Sequence, residues 1–243
     1  MILRFTALAS LVALFAVTAV AQAATPAPVR RTISVTGTAT QMVQPDVGIV
    51  VLAVQTQADT VAPAVNENNR TSTRVMDAIH GLNIPQLTMR TLGFEVTPMY
   101  ETLPPNRPVP QTPRIVGYQV TNRIEVRLVN KQTPQLSTAI SRVLDAALTA
   151  GANRVDSITF DLADPQSAML SVLAQATKNA RATAMTLATA AGVQLGPLET
   201  LSSVPSYYQP LQAQRAAVAA TSVPIEVGPL TLQASVNAVY GIR

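Results

Sequence analysis

Polar and apolar residues alternate along several stretches of the chain, and each stretch predicts a β-strand with one buried face. The clearest example is 114–129. Residues 47–54 differ because they are apolar on both faces, as in a central strand that is covered on both sides. Further strands are predicted at 32–39, 88–100, 154–162, 198–204 and 229–240. The inward positions of the clearest strand are Tyr118, Val120, Asn122, Ile124, Val126 and Leu128.

In three other stretches apolar residues recur every three or four positions, which predicts amphipathic helices over 60–82, 133–150 and 165–191. The inward residues expected are Val61, Val65, Asn68, Ser72, Val75, Ile79 and Leu82 in the first helix, Leu136, Ile140, Val143, Leu144 and Ala147 in the second, and Met169, Val172, Leu173, Ala176, Ala180 and Leu187 in the third.

The helix ends carry recognisable signals. Gly81 is expected to cap the first helix in the left-handed conformation, and Gly151 and Gly192 are expected to end the other two. The third helix should begin at Asp164 and Pro165, because Asp is favoured as an N-cap and Pro at the first helical position.

Prolines are concentrated between the strands 88–100 and 114–129. Proline fixes φ and has no N–H to donate, so this segment predicts a stiff hairpin tip. The prolines are Pro98, Pro104, Pro105, Pro108, Pro110 and Pro113. The elements follow the order β-β-α-β-β-α-β-α-β-β. We therefore predict an α+β fold, a mainly antiparallel sheet with helices packed on one face, as a single domain over 24–243.

The N-terminus has the three-part layout of a cleavable secretory signal peptide. Arg4 supplies the positive charge, residues 5–20 are almost wholly apolar, and Ala21 and Ala23 place small residues where signal peptidase reads them. The apolar run is shorter than the about 20 residues that a membrane-spanning helix needs. We expect cleavage after Ala23 and a periplasmic product without a membrane span.

Charge and cysteine content narrow the possible functions. The chain has 17 Lys and Arg against 13 Asp and Glu, and the basic residues are scattered. Binding to a phosphate backbone needs clustered basic residues, so no nucleic-acid partner is expected. The chain has no cysteine, so its stability in an oxidising compartment has to come from an apolar core.

No group of residues resembles a catalytic, metal or cofactor site, and we expect the protein not to be an enzyme. His80 is the single histidine, and it ends the first predicted helix, where a basic side chain complements the helix C-terminus. The acidic residues do not have metal-ligand spacing. A hydrolase would need Glu95, Glu125 and Asp156 to converge, which the alternation opposes because it places Glu125 on the polar face.

Five short motifs, in order along the chain, resemble those of the SIMPL-domain family, formerly DUF541. They are I-S-V-T-G-T-A at 33–39 with Pro45-Asp46 after it, G-Y-Q-V-T-N at 117–122, A-G-A-N-R-V at 150–155, A-A-G-V at 190–193, and the T-S-V-P to Gly stretch at 221–228. The resemblance covers nearly all of the chain beyond the signal peptide.

The resemblance implies an exported bacterial envelope protein of the periplasmic oxidative-stress defence or immunogenic type. No catalytic residues are defined for the family, so none is carried over. Two departures stand out. Val129-Asn130-Lys131 replaces a frequent Arg-Asp pair, and the long helix lacks a frequent Ala-Arg near its start. Interactions that depend on those charges in relatives are not expected here.

Asn122 is the most informative polar residue, because the alternation places it on the apolar face between Val120 and Ile124. A buried amide has to find hydrogen-bond partners. We predict that Asn122 is a structural anchor that ties the sheet to a loop or to the first helix, with Asn69 as the second anchor. A ligand contact is the alternative.

The candidate interaction surface comprises Met99, Tyr100, Tyr207 and Tyr208, because aromatic residues on loops favour interfaces. Met99 is expected to be exposed, and it is the methionine best placed to react with oxidants. The leading interpretation is a non-enzymatic protein that acts in envelope or oxidative-stress physiology through protein contacts, or by self-assembly as a homo-oligomer. The alternative is a module that binds a small molecule or envelope component in a pocket between sheet and helices.

Overall fold

The computed structural model describes residues 31–102, 113–204, 208, 210–212 and 227–243. The predicted signal peptide with its cleavage site, most of the proline-rich tip and Tyr207 lie outside these residues. Thr32–Arg243 form one compact unit. Within the part of the chain that is described, no helix is both long enough and apolar enough to cross a membrane.

The structure confirms the α+β class and the predicted order of elements, to which it adds the two-residue strand β7. The strands are β1 (Thr32–Val43), β2 (Val47–Ala58), β3 (Leu87–Tyr100), β4 (Ile115–Val129), β5 (Arg154–Asp161), β6 (Leu195–Val204), β7 (Leu211–Gln212) and β8 (Leu230–Ile242). The helices are α1 (Val61–His80), α2 (Thr133–Ala150) and α3 (Pro165–Ala190). The hairpin β3–β4 lies on either side of the proline-rich segment.

The strands pair antiparallel and divide between two sheets. The smaller sheet has the order β1-β8-β6, and the larger has the order β3-β4-β2-β5-β7. The chain passes from the smaller sheet to the larger at the turn 44–46. Pro45 in this turn has no N–H and cannot continue a ladder, which ends β1 before β2 begins.

Helices α1 and α2 pack on one face of the larger sheet. The inward residues predicted for β4 are buried or half-buried, and the five predicted for α2 are all buried. Gly48 in β2 lets α2 come close, since a Cβ at this position would lie 2.8 Å from the Cδ1 atom of Ile140. The alternation and the helical period therefore define this core correctly.

Helix α3 packs on the smaller sheet through a stripe of small side chains. A Cβ on Gly37 in β1 would overlap the carbonyl oxygen of Ala176 and lie 2.6 Å from the Cβ of Ala180. The glycine is thus required by the close approach of the helix. The buried stripe is Val172, Ala176, Ala180, Ala184 and Ala188, and it faces Leu230, Leu232, Ala234, Val236, Ala238 and Tyr240 of β8.

Two helix residues were placed wrongly by periodicity. Leu187 is 47% exposed, because buried positions four residues apart advance about 40° round a helix at each step. Near the end of this long helix the buried side has therefore rotated away from the direction in which Leu187 points. Val61 is also exposed, as the first residue of α1, and Ala64 is buried in the first turn instead.

The helix-end predictions had mixed outcomes. Gly81 is right-handed, with φ of −61°, and the left-handed residues of the following turn are Asn83 and Gln86. Gly151 ends α2 with φ of 117°. Asp164 is the N-cap of α3, and its side chain accepts a 2.9 Å hydrogen bond from the backbone N–H of Ser167.

Candidate functional site

A chain of buried polar side chains joins α1 to the larger sheet. Asn122 Nδ2 donates to Ser72 Oγ at 3.0 Å, and Ser72 Oγ donates to Asn68 Oδ1 at 3.3 Å. Asn68 Nδ2 donates to the carbonyl oxygens of Val54 at 2.8 Å and Val120 at 3.1 Å. The network therefore connects the helix to two neighbouring strands, β2 and β4.

The sequence explains why these groups meet. Asn68 and Ser72 are four residues apart, so they lie one above the other on the same side of α1. Asn69, the predicted second anchor, is exposed because each residue turns the helix by about 100°. The helix residue that enters the network is Asn68. Asn122 Oδ1 has no hydrogen-bond partner among the described residues.

A second polar cluster surrounds the turn between the two sheets. Asp46 Oδ1 accepts a 2.7 Å hydrogen bond from the backbone N–H of Ala163, just before α3. The backbone of Asp46 also donates to Asp161 and accepts from Asn130, and Thr133 Oγ1 donates to the carbonyl of Pro45 at 3.1 Å. The sequence indicated only a turn here, because partners this distant in the chain leave no local signal.

Asn153 performs a similar task at the start of β5. Its side-chain Oδ1 accepts from the backbone N–H of Gln55 at 2.9 Å, and its Nδ2 donates to the carbonyl of Gln55 at 2.7 Å. The side chain thus pairs with β2 as a strand residue would. This contact gives the Asn of the A-G-A-N motif a structural role.

Tyr208 is held by a short hydrogen bond from its hydroxyl to the carboxylate of Asp161 at the end of β5. Burial of the phenol, and then the hydrogen bond and charge of Asp161, raise the pKa of Tyr208 to about 12. The ring is half-buried and packs against the core beneath α3. Tyr208 therefore contributes to the packing of the fold, whereas a contact residue on a loop would be expected to project into solvent.

Ion pairs cover the face of the larger sheet opposite α1 and α2. Arg90 Nε lies 2.7 Å from Glu125 Oε1, and hydrogen bonding to Glu125 together with its charge raises the pKa of Arg90. Asp156 lies between Arg154, at 2.5 Å, and Arg123, at 3.4 Å. These carboxylates are therefore each paired with arginine.

Among the described residues, the candidate catalytic side chains do not converge on one site. Glu95 lies exposed on β3, apart from the paired Glu125 and Asp156, and His80 is exposed at the end of α1. No group of three His, Cys, Asp or Glu side chains within the described ranges could hold a metal ion. The candidate functional features of the described residues are therefore exposed surfaces and the hydrogen-bond networks that join helices, strands and turns.

The β3–β4 hairpin carries several exposed apolar side chains. Leu92, Phe94 and Val96 are 45%, 48% and 38% exposed, and Tyr100, Ile115 and Val116 are exposed nearer the tip. Met99 is half-buried, contrary to expectation, because its Cε atom lies over Gly117. Among the described methionines, Met42 is the most open to solvent, at 71%.

Close packing leaves little room between the larger sheet and its helices. Leu52, Ile124 and Ile140 are fully buried there, and Gly48 touches Ile140 closely enough to exclude even a methyl group. One depression lined by described residues, of about 430 Å³ beside Asn83, Asn130 and Arg142, lies at the surface. A ligand pocket between sheet and helices would require this packing to open.

Residues 33–240 match the model of a family named SIMPL and described as "Protein of unknown function (DUF541)". The chain is 32% identical over 218 residues to the 26 kDa periplasmic immunogenic proteins of Brucella abortus (strain S19) and Brucella melitensis biotype 1, covering 87% of this chain and 84% of each relative.

Among solved structures, AtUAH in complex with glyoxylate gives a TM-score of 0.30 at 11% identity, and a hydantoinase/carbamoylase family amidase from Burkholderia ambifaria gives 0.27 at 14%. In both cases the alignment covers 58% of this chain and 34% of the other. Scores this low carry no argument about fold or function.

Proposed function

Because the chain belongs to the SIMPL family, we propose that it is an exported periplasmic protein that acts through protein–protein contacts, with no catalytic step of its own. The names of its Brucella relatives support the periplasm. The three-part N-terminal segment supports export, with cleavage after Ala23. The absence of cysteine is compatible with an oxidising compartment because the fold depends on two apolar cores.

The observation that carries the proposal is the exposed apolar surface of the β3–β4 hairpin. Groups of exposed apolar side chains that form a patch mark sites of protein–protein interaction. The hairpin combines them with a long strand at the edge of a sheet, where unpaired backbone groups are open to a partner. We place the contact site on β3, around Phe94 and Val96.

The physiological role we propose is in the cell envelope, in the response to oxidants. A strain that lacks the protein should grow normally in rich medium and lose viability faster than wild type under hydrogen peroxide. Expression of the wild-type chain should restore survival. Expression of a Phe94→Ser, Val96→Ser variant at the same level should not, because it lacks the contact surface.

Cross-linking in intact cells tests the contact itself. The wild-type chain should be captured in a defined larger species, and Phe94→Ser, Val96→Ser should abolish that species. The matched control is Leu170→Ser, Met185→Ser, which removes two apolar side chains from α3 that are at least as exposed as Phe94 and Val96. Loss of the species in the control as well, or its persistence in the β3 variant, would remove the hairpin from the proposal.

A further inference from the structure

Strand β3 is an edge strand of the larger sheet, and one side of its backbone is paired with no other strand of the described residues. Its register with β4 shifts between Thr91 and Gly93, so that Leu92 has no opposite residue in β4. This β-bulge inserts one residue into β3. It reverses the alternation of the two faces partway along the strand.

The reversal follows directly from the register. Before the bulge, Met89 and Thr91 lie opposite Val126 and Ile124, on the face that carries the helices. After the bulge, Phe94 and Val96 lie opposite Asn122 and Val120, on the same face. Odd-numbered residues face the helices in the first half, and even-numbered residues do so in the second. Arg90 and Glu95 therefore share the opposite face.

We propose that two copies of the chain pair through β3, antiparallel, about a two-fold axis between Leu92 and Gly93. Arg90 of one copy then faces Glu95 of the other, and the pair occurs twice. Met89 faces Val96, Thr91 faces Phe94, and Thr88 faces Thr97, each also twice. Opposite charges, paired Thr residues and aromatic or β-branched neighbours are all favourable cross-strand pairs.

The charges select this register. Moving one strand by two residues keeps the faces aligned over most of the strand, yet it places Arg90 opposite Gly93 or Thr97 and leaves Glu95 opposite Thr88 or Leu92. Moving it by one residue brings helix-side residues against those of the other face. The bulge is what allows a strand with Arg90 and Glu95 five positions apart to match itself face for face.

Arg90 and Glu95 both have hydrogen-bonding atoms available for a contact with a second copy. Within the described ranges no basic group lies within 4 Å of Glu95, whose carboxylate accepts only a 3.3 Å hydrogen bond from Thr97. Arg90 uses its Nε and one terminal nitrogen on Glu125. Its other terminal nitrogen makes no hydrogen bond to a described residue, so the guanidinium can bind carboxylates on both sides.

This inference rests on the proposed function and names one partner for the same surface, a second copy. Because the chain has no cysteine, single cysteines report the register without background. Thr88→Cys mixed with Thr97→Cys should form a disulfide-linked dimer under mild oxidation, since directly opposed strand residues have the required Cβ separation. Neither variant alone should form it, because each then lies far from its own copy across the axis.

Charge reversal provides the second measurement, on the cysteine-free chain without residues 1–23. Glu95→Lys should weaken self-association by about tenfold in sedimentation equilibrium, as two opposite-charge pairs become like-charge pairs. The control Glu101→Lys makes the same charge change at an exposed position beyond the paired stretch and should leave the association constant unchanged.

Three outcomes are distinguishable. A Thr88–Thr97 disulfide together with the Glu95 effect supports the pairing. A wild-type dimer without that disulfide refutes this register and leaves the proposed contact function standing. A wild-type monomer at high concentration refutes self-pairing and shows that the bulge and charges protect the edge. In-cell cross-linking to a different protein would then still support the proposed function.

Discussion

Asn122 in β4 donates a 3.0 Å hydrogen bond to Ser72 in α1, and this contact joins the middle of the sheet to the middle of the helix above it. Ser72 passes the connection to Asn68, which reaches the backbone of both β2 and β4. Buried polar groups of this kind are costly when they lose a partner, because water cannot replace it. The network should therefore set the position of α1.

Replacement of Asn68 by alanine should lower the free energy of unfolding by about 3 kcal/mol, because it deprives two buried carbonyls and the Ser72 hydroxyl of their partner. Urea unfolding of the chain without residues 1–23 would measure the change. Asn69→Ala is the matched control, since the neighbouring amide is exposed, and it should change stability by less than about 0.5 kcal/mol. Equal effects at both positions would contradict the assignment of Asn68.

Asn122→Ala should cost about 1–3 kcal/mol, and the loss should be coupled to Ser72. In a double-mutant cycle, Asn122→Ala and Ser72→Ala should together cost less than the sum of the two single changes, because each removes the same 3.0 Å hydrogen bond. The melting temperatures of the four proteins give the coupling. Strictly additive effects would show that the bond contributes nothing to stability.

The carboxylate of Asp46 should stabilise the passage between the sheets. Asp46→Ala removes the acceptor for the N–H of Ala163 and should cost about 2 kcal/mol, as for a hydrogen bond to a charged group. Asp46→Asn keeps an Oδ1 acceptor and should cost less than half as much. Denaturant midpoints would rank the variants. If the asparagine variant is no more stable than the alanine variant, the bond to Ala163 is not the cause.

Residue periodicity was sufficient for most of the fold. In β4, β8 and α2 the apolar residues are those that face the core, so they repeat with the period of the strand or helix and can be recognised in the sequence. The division into two sheets could not be predicted in this way, because the polar–apolar alternation of a strand is the same whichever strand it pairs with. Pro45, which cannot continue a ladder, marks the first change of sheet, between β1 and β2, and the later change from β5 to β6 lacks such a signal.

The candidate sites were less predictable, since their geometry depends on contacts between distant residues. Asn122 could be identified as a buried amide from its position alone. Whether Asn68 or Asn69 meets it depends on the rotation of α1 about its axis, which the Asn-rich sequence leaves open. The bulge at Leu92, on which the symmetry of β3 depends, has no sequence signal beyond Gly93.

Gly37→Ala should be among the most destabilising single changes in the protein. The added methyl group would overlap backbone atoms of Ala176 and Ala180 in α3, and backbone cannot move aside as a flexible side chain does. We expect a loss of about 3 kcal/mol, at the upper end for overpacking, measured by thermal unfolding. Gly93→Ala is the control, because a Cβ there meets nothing within 4 Å; similar losses at both glycines would instead indicate a general effect of glycine replacement.

Tyr208 should ionise at a higher pH than an ordinary tyrosine in the folded protein. Its pKa is raised to about 12 because burial, and then the hydrogen bond and charge of Asp161, disfavour the phenolate. A raised pKa in the folded state means that the contribution to stability is fully present below the ordinary value near 10 and is lost as the pH rises through about 12.

Absorbance of the phenolate at increasing pH should show a late component that is absent in Tyr208→Phe. Asp161→Asn should move that component to lower pH without restoring the ordinary value, because burial, the largest cause, remains. A late component that persists in Tyr208→Phe would assign it to another tyrosine.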